Sequence, residues 1–405
     1  MQYRPPVPYL WRKFWRLSWW WKGPSLAGVG LVILIIISAI ANGGSGNDKD
    51  KAATPSVTTT ASRRATTESS KAAQTETATP KATITPTEAP IEAPTAQQAA
   101  APPSTAPGGS VNSGTPCVGA ARPAQWKHVV VLMFENHTYN QVIGALDSSG
   151  SLEAPYITGL ARKCGSDQNW YDANYRVDGS VDGNYDSKPS YATLTNGLPP
   201  SVHGLLDDTS STKTSVDNIY NELRLAGKSG KDYYDASGSG CSTSFNGSYH
   251  DAIRYYTDID STYCNSHDVS LSTFMNDVNN GTLPEFSMIL PTNCENMHSC
   301  SGVSDVIKNG DTWASNFLPA LLDSTQYKSG DTAIFFLWDE EAPIPNVLLA
   351  PSILPGSFVP SPLGNPVSHF SALRTWEEML GLPLIGDTGQ APSLLGFFNG
   401  NRPTP

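Results

Sequence analysis

Residues 128–137 read HVVVLMFENH, and this stretch decides the fold. Val129–Phe134 is apolar at every position, without the alternation of a half-buried strand. A continuous apolar run of this length is typical of a strand buried on both faces, as in a parallel sheet covered by helices. Polar residues, Glu135, Asn136 and His137, follow at once.

Three further apolar runs have the same character: Phe286–Leu290, Ala333–Trp338 and Val347–Ala350. The segments between them place apolar residues at helical spacing, which predicts helices at Val216–Leu225, Asp311–Leu322 and Ser368–Leu380. Ser368 is a typical helix cap, and Gly381 and Pro383 mark the end of that helix. Strands that alternate with helices predict an α/β fold, a three-layer sandwich around a mostly parallel central sheet.

The N-terminal third has a different composition. Residues 1–22 carry five basic residues, no acidic residue and a cluster of tryptophans, and residues 26–41 are apolar. This pattern predicts a transmembrane signal anchor within residues 1–42, although Ala39-Ile40-Ala41 also fits a signal cleavage site. Residues 43–116 are rich in Thr, Ala, Pro and Ser, which predicts a disordered stalk. Residues 117–405 then form the folded domain, outside the cell membrane or secreted if the chain is cleaved near Ala41.

All six cysteines follow residue 116, and none forms a Cys-x-x-Cys pair. An even number in an exported domain predicts up to three disulfides. The short spacings favour Cys294–Cys300 first and Cys241–Cys264 second, although spacing alone does not fix the connectivity. The formal net charge of −11 argues against a nucleic-acid partner held by charge.

Polar residues follow three of the predicted strands. Glu135 ends the first, Asp339 and Glu340 end another, and residues 291–298 with His298 follow Phe286–Leu290. Parallel strands deliver such residues to one edge of the sheet, where ligands bind. Carboxylates gathered there repel each other unless a cation lies between them. A divalent metal held by these three carboxylates is one reading, and ordinary polar strand ends are the other.

A second element is Asp186-Ser187-Lys188-Pro189-Ser190, followed by a helix-like stretch. Ser187 then lies at a helix N-terminus, where free N–H groups and the helix dipole favour an anion. The residue fits a nucleophile, although a plain capping serine is far commoner at such a position.

These residues resemble the phosphoesterase family of acid phosphatases and phospholipases C, within the alkaline phosphatase superfamily. The first strand, 128–144, is similar to the family opening HVVVxxxENxSYxxVIG. The resemblance runs in order through roughly residues 126–390. It includes the motifs His203-Gly204, Asp207-Asp208, 281–287, 294–300, 338–340 and 368–374.

The resemblance implies a role for each matching residue. Ser187 takes the place of the nucleophile, while His298 and His369 match histidines near the leaving group or metal. Asn136, Ser190 and His250 take substrate-binding positions, His250 on weaker flanking similarity. Glu135, Asp339 and Glu340 match the ligands of a divalent metal, with Mg²⁺, Ca²⁺, Mn²⁺ and Zn²⁺ all open.

The sequence departs from the family at three positions: Ser190 stands where the family usually has Asn, Asn296 where it has Asp, and Glu341 where it has Gly. The expected function is an extracytoplasmic, metal-dependent acid phosphatase that forms a phosphoserine on small phosphate esters or phospholipid headgroups. Three alternatives stay open: a phospholipase C, a sulfatase, and an inactive binding module. Tyr191, where a sulfatase motif needs Arg, disfavours the sulfatase. The sequence leaves the oligomeric state open.

Overall fold

The computed structural model of the protein describes residues 111–235, 241, 249–358 and 366–399. The predicted membrane segment and residues 43–110 of the predicted stalk lie outside these ranges. In the ranges that are described, no helix combines the length and the apolar character needed to cross a bilayer.

Residues 111–116, predicted as the end of the stalk, hydrogen-bond to later parts of the chain. The Ser113 N–H donates to Asp323 Oδ1 at 3.1 Å, and the Tyr327 hydroxyl donates to the Pro116 carbonyl at 2.9 Å. These six residues therefore pack with the domain that follows them.

The core is an eight-stranded sheet with the order β4-β3-β5-β1-β6-β7-β2-β8. Its strands are β1 (His128–Phe134), β2 (Gly165–Ser166), β3 (Gly230–Tyr234), β4 (Asp268–Ser270), β5 (Phe286–Leu290), β6 (Thr332–Trp338), β7 (Asn346–Leu349) and β8 (Ser357–Phe358). The strands β4, β3, β5, β1 and β6 are mutually parallel, whereas β7 runs antiparallel to β6 and to β2. The predicted mostly parallel sheet is confirmed, and the four predicted strands are β1, β5, β6 and β7.

The helices are α1 (Tyr139–Val142), α2 (Pro155–Lys163), α3 (Ser187–Asn196), α4 (Pro200–His203), α5 (Ile219–Leu225), α6 (Ser261–His267), α7 (Phe274–Asn280), α8 (Val306–Leu322), α9 (Thr325–Lys328), α10 (His369–Leu380) and α11 (Leu395–Phe398). Short 3₁₀ turns cover Ala252–Tyr255, Leu271–Thr273 and Thr388–Gln390.

Helices cover both faces of the sheet. On β6, Phe335 packs against Trp376 of α10, with the ring centroids 5.6 Å apart. The neighbouring Phe336 points to the other face and packs on Phe134, which in turn contacts Trp313 of α8. Because successive strand residues point to opposite faces, α10 and α8 lie on opposite sides of the sheet. The predicted three layers are therefore present.

The predicted helices occur with shifted starts. The segment predicted at 216–225 forms α5, which begins at Ile219 with the Asn218 side chain as its cap. The helix predicted at 311–322 begins five residues earlier, where Asp305 accepts the Lys308 N–H. The helix predicted at 368–380 has Ser368 as its cap and ends at Gly381, whose φ of +65° suits glycine.

Three disulfides join the six cysteines: Cys117–Cys164, Cys241–Cys264 and Cys294–Cys300. The two predicted pairs are confirmed. The first of the three ties the start of the domain to the end of α2, next to strand β2.

Candidate active site

The carboxyl ends of β1, β5 and β6 meet at one edge of the sheet. The Glu135 N–H donates to the Asn296 carbonyl at 2.9 Å, and the Asp339 N–H donates to the Phe134 carbonyl at 3.1 Å. These two hydrogen bonds continue the strand pairing into the polar segments. The sequence argument that these ends would converge is therefore confirmed by the geometry.

Asn136 turns the chain away from β1. Its φ of +53° lies in the left-handed region, which asparagine adopts more readily than most residues. Its N–H donates to Asp339 Oδ1 at 3.1 Å, and its own amide oxygen is buried without a hydrogen-bond partner. The left-handed turn therefore leaves a polar oxygen beside the buried Asp339.

Ser187 is the first residue of α3, as the sequence predicted, and its side chain is buried. Its hydroxyl donates to Glu135 Oε2 at 3.1 Å, which joins the start of this helix to the end of β1. One turn later, the hydroxyl of Ser190 is also buried, with no hydrogen-bond partner.

The N-terminus of α3 already carries a carboxylate. Asp208 Oδ1 accepts the Lys188 N–H at 2.7 Å, and Pro189 has no N–H to offer. The helix therefore presents fewer donors to a phosphate than the sequence suggested. The pKa of Asp208 is raised to about 6, mainly because the carboxyl is buried. The hydrogen bond from Lys188 opposes this shift, and the charges of Asp186 and Asp339 add to it.

Glu135 is completely buried and has three polar neighbours. The Tyr191 hydroxyl donates to Oε1 at 2.5 Å, Ser187 donates to Oε2, and His250 Nε2 lies 3.3 Å from Oε1. Burial raises the pKa of Glu135 well above its usual value, and the charge of Asp339 adds to this, while the Tyr191 hydrogen bond opposes it. Among the described residues, no positive charge compensates this carboxylate.

His250 stacks on Tyr191, with the ring centroids 5.4 Å apart. Burial lowers its pKa to about 3, and nearby His298 contributes to the shift. His250 is therefore neutral near pH 7, and its contact with Glu135 is not an ion pair. Its Nε2 is buried without a hydrogen-bond partner.

Asp339 and His369 lie on the other side of this cluster. Asp339 is fully buried, and its Oδ2 has no hydrogen-bond partner. His369 Nε2 lies 2.7 Å from the Asp339 carbonyl; because a carbonyl only accepts, Nε2 carries the proton. Burial lowers the pKa of His369, and the charge of buried Asp172 opposes this shift. As a neutral ring, His369 has only Nδ1 left for a ligand.

His298 lies in the loop closed by the Cys294–Cys300 disulfide and is partly exposed. Its N–H donates to Asn296 Oδ1 at 3.0 Å, and its ring is 6.1 Å from that of His250. Burial lowers its pKa, and the charge of Asp339 opposes the shift. Asn296, which replaces the usual Asp of the family, therefore holds both Glu135 and His298 in place.

The donor atoms fit a hard divalent cation. In the described part of the chain, Asn136 and Asp339 each have a buried oxygen without a hydrogen-bond partner, and the charge of Asp339 acts on Glu135. Oxygen ligands of this kind suit Mg²⁺, Ca²⁺ or Mn²⁺. Glu340 is buried nearby, and its charge also raises the pKa of Glu135.

The carboxylate oxygens of Glu135, Asp339 and Glu340 are not all close enough together to bind one cation in this conformation. In the described part of the chain, one set of three His, Cys, Asp or Glu donor atoms lies within 4.8 Å of one another, formed by Cys241, Cys264 and Asp268. Both sulfurs of that set are in a disulfide, which removes them as ligands. Joint ligation by Glu135, Asp339 and Glu340 therefore requires side-chain movement.

Three residues of the site were assigned no role from the sequence. Tyr191 and Asp208 lie within motifs that carry the resemblance, yet nothing in the motifs indicates their contacts with Glu135 and Lys188. Asp172 has no sequence signal, because it is one polar residue in a long loop.

Known proteins match this chain over the same region. Residues 156–345 match the model of the Phosphoesterase family. A phosphatidylinositol-3-phosphatase of Mycobacterium tuberculosis is 25% identical over 295 residues, which cover 70% of this chain and 87% of that protein.

Solved structures resemble the chain more distantly. The lipoteichoic acid synthase LtaP of Listeria monocytogenes gives a TM-score of 0.46 at 12% identity, covering 67% of this chain and 76% of that one. A protein in the alkaline phosphatase superfamily from Vibrio parahaemolyticus gives a TM-score of 0.43 at 15% identity. The match covers 67% of this chain and 72% of that one. The family model, the curated relative and the ordered motifs from Glu135 to His369 support the classification of the chain in the phosphoesterase family, as a hydrolase of phosphate esters.

Proposed function

We propose that the protein is a metal-dependent phosphomonoesterase, of the acid phosphatase type, that works through a phosphoserine on Ser187. The main support for this proposal is the hydrogen bond from the buried Ser187 hydroxyl to Glu135 Oε2. It places an oriented oxygen at the start of a helix and at the carboxyl edge of the sheet. An activated hydroxyl in this setting is suited to covalent catalysis.

Glu135, Asn136 and Asp339 would hold the cation, with Glu340 as a fourth candidate ligand. When bound, the cation would lower the pKa of the Ser187 hydroxyl and neutralise charge on the phosphate oxygens. It would also compensate the adjacent buried carboxylates of Glu135 and Asp339, which raise each other's energy in its absence.

The residues of the chain account for both displacements. Ser187 Oγ attacks phosphorus as the bond to the leaving oxygen breaks, and the Glu135 carboxylate accepts the hydroxyl proton. His298 donates a proton to the leaving oxygen, while His250 and Asn136 contact the phosphate. In the second displacement, neutral His298 accepts a proton from the water that attacks phosphorus, and Glu135 returns its proton to Ser187 Oγ as the bond from that oxygen to phosphorus breaks. In this scheme His369 orients Asp339 rather than transferring a proton, because its Nε2–H is bound to the Asp339 carbonyl.

Two features support an acidic pH preference. His298 must be protonated to act as an acid, and burial lowers its pKa. Asp208, with its pKa raised to about 6, becomes an anion above that pH, close to the expected phosphate position. Both effects reduce turnover as the pH rises.

Exposed apolar side chains favour a lipid-borne substrate as the second candidate. Val181, Val202 and Leu206 are exposed by 67%, 55% and 49%. Hydrogen bonds between Ser201 and Asp182 join the segments of the two valines.

Leu206 lies two residues before Asp208, which binds the first turn of α3. The curated relative is named for a phosphorylated lipid, which supports a phospholipid headgroup as the substrate. The same surface fits a phospholipase C, so the ester type must be measured.

An extracytoplasmic location forms part of the proposal. Three disulfides support an oxidising compartment. The apolar segment 26–41 would anchor the chain in the cell membrane, with the stalk as a spacer.

Ser187→Ala should lower kcat on p-nitrophenyl phosphate by at least about a thousandfold, because the nucleophile is lost. Ser287→Ala is the matched control, since Ser287 is also buried but lies near the start of β5, and its loss should cost less than about tenfold. A chelator should abolish wild-type turnover. Preference for bis-p-nitrophenyl phosphate would favour a phospholipase C, and no turnover of either ester with any added metal would favour a binding module.

Asp208→Asn should flatten the loss of activity at high pH, because Asn keeps the acceptor for the Lys188 N–H and removes the charge. We expect kcat/KM at pH 8, relative to pH 5, to rise about tenfold, the equivalent of 1.4 kcal/mol of repulsion. Asp207→Asn is the control, as Asp207 Oδ1 accepts the N–H groups of Thr209 and Ser210 and does not bond to α3 in any hydrogen bond described. Equal profiles for all three proteins would contradict a role for Asp208.

Tyr191→Phe should remove a hydrogen bond to a buried carboxylate and lower the free energy of unfolding by about 1.5–3 kcal/mol. Tyr220→Phe is its match, because Tyr220 donates to buried Asp232 at 2.8 Å, outside the site. Urea denaturation should show similar losses for both. Only Tyr191→Phe should also lower kcat, and equal kcat values would contradict the assignment of Glu135 to the site.

A further inference from the structure

The turn that follows β6 carries two of the candidate metal ligands, Asp339 and Glu340, both buried. The next residue, Glu341, has a φ of +76°, which is uncommon for a residue with a side chain. The resembling family usually has Gly there. Such a backbone persists only where the surroundings hold it.

Two buried side chains fix this turn at its two ends. His369 Nε2 donates to the Asp339 carbonyl at 2.7 Å. Asp172 Oδ2 accepts the Ala342 N–H at 2.9 Å, and its Oδ1 accepts the Asn174 N–H at 3.0 Å. Asp172 and His369 are both fully buried, one at each end of the turn.

We propose that Asp172 is a positioning residue that sets the affinity of the metal site by holding the Asp339–Ala342 turn. This inference rests on the proposed function of the site. Asp172 contacts neither the candidate nucleophile nor a candidate ligand side chain in any hydrogen bond described, so it acts through the backbone.

The carboxylate is needed because both of its oxygens accept a backbone N–H. An asparagine has one acceptor oxygen, so one of the two N–H groups would be left opposite an NH₂ group. A buried N–H without an acceptor is costly, and the turn would shift to relieve it. Loss of a group that orients metal ligands commonly weakens metal binding by about 10–100-fold.

The test is Mn²⁺ binding to the full-length protein, followed by the electron paramagnetic resonance signal of free Mn²⁺, which requires no turnover. Asp172→Asn should raise the Kd at least about tenfold and lower kcat more than it raises KM. Asp167→Asn is the matched control. Asp167 is also buried and accepts the Asn169 N–H at 2.8 Å, but it does not reach the turn. Mn²⁺ binding that is lost in Asp339→Asn belongs to this site, because Asp339 is one of its candidate ligands.

Asp172→Glu retains both acceptor oxygens, and it should bind Mn²⁺ more tightly than Asp172→Asn. If near-ultraviolet circular dichroism shows that the asparagine variant is unfolded, folded Asp172→Glu is compared with the wild type instead. Its longer side chain should displace the turn and raise the Kd, so an unchanged Kd would then overturn the proposal. Wild-type Kd values for Asp172→Asn, or equal losses in Asp167→Asn, would overturn the proposal. A wild-type protein that binds Mn²⁺ but hydrolyses no ester would contradict the proposed function and leave the positioning role standing.

Discussion

The site depends on the position of β1 between two parallel neighbours, β5 and β6. Parallel pairing aligns their carboxyl ends, so the polar residues after each strand reach the same edge. Two backbone hydrogen bonds, from Glu135 to Asn296 and from Asp339 to Phe134, extend this alignment past the strands. Helix α3 then brings Ser187 to the same point. Without this register, Glu135 and Asp339 would not be neighbours.

Burying the carboxylates of Glu135 and Asp339 next to each other costs electrostatic free energy unless a positive charge compensates them. Glu135 and Asp339 are both fully buried, and no Lys or Arg ion pair to either is described. The histidine nearest to Glu135, His250, is neutral because burial lowers its pKa to about 3. A divalent cation would remove this penalty and would serve the chemistry at once. Metal binding and stability of the site should therefore be coupled.

Much of this arrangement could be predicted from sequence, and the reasons differ by residue. Val129–Phe134 predicted β1 because a short run that is apolar at every position is typical of a strand buried on both faces. Pro189 predicted that Ser187 lies at the start of a helix, because proline is favoured in the first turn of a helix. The hydrogen bonds from the Lys188 N–H to Asp208 and from the Ala342 N–H to Asp172 could not be predicted. Each joins two separate segments of the chain, and no sequence motif links those segments. Strand β3, with the sequence Gly-Lys-Asp-Tyr-Tyr, was missed because its charged residues break the apolar run.

The central claim is a covalent phosphoserine on Ser187. The most direct measurement mixes the enzyme with a phosphomonoester, quenches in acid within the first turnovers, and maps the peptides by mass spectrometry. The account predicts one added phosphoryl group on the peptide that contains Ser187, lost in Ser187→Ala and absent without divalent metal. Steady turnover with no phosphorylated peptide, or a phosphoryl group on a different residue, would contradict it.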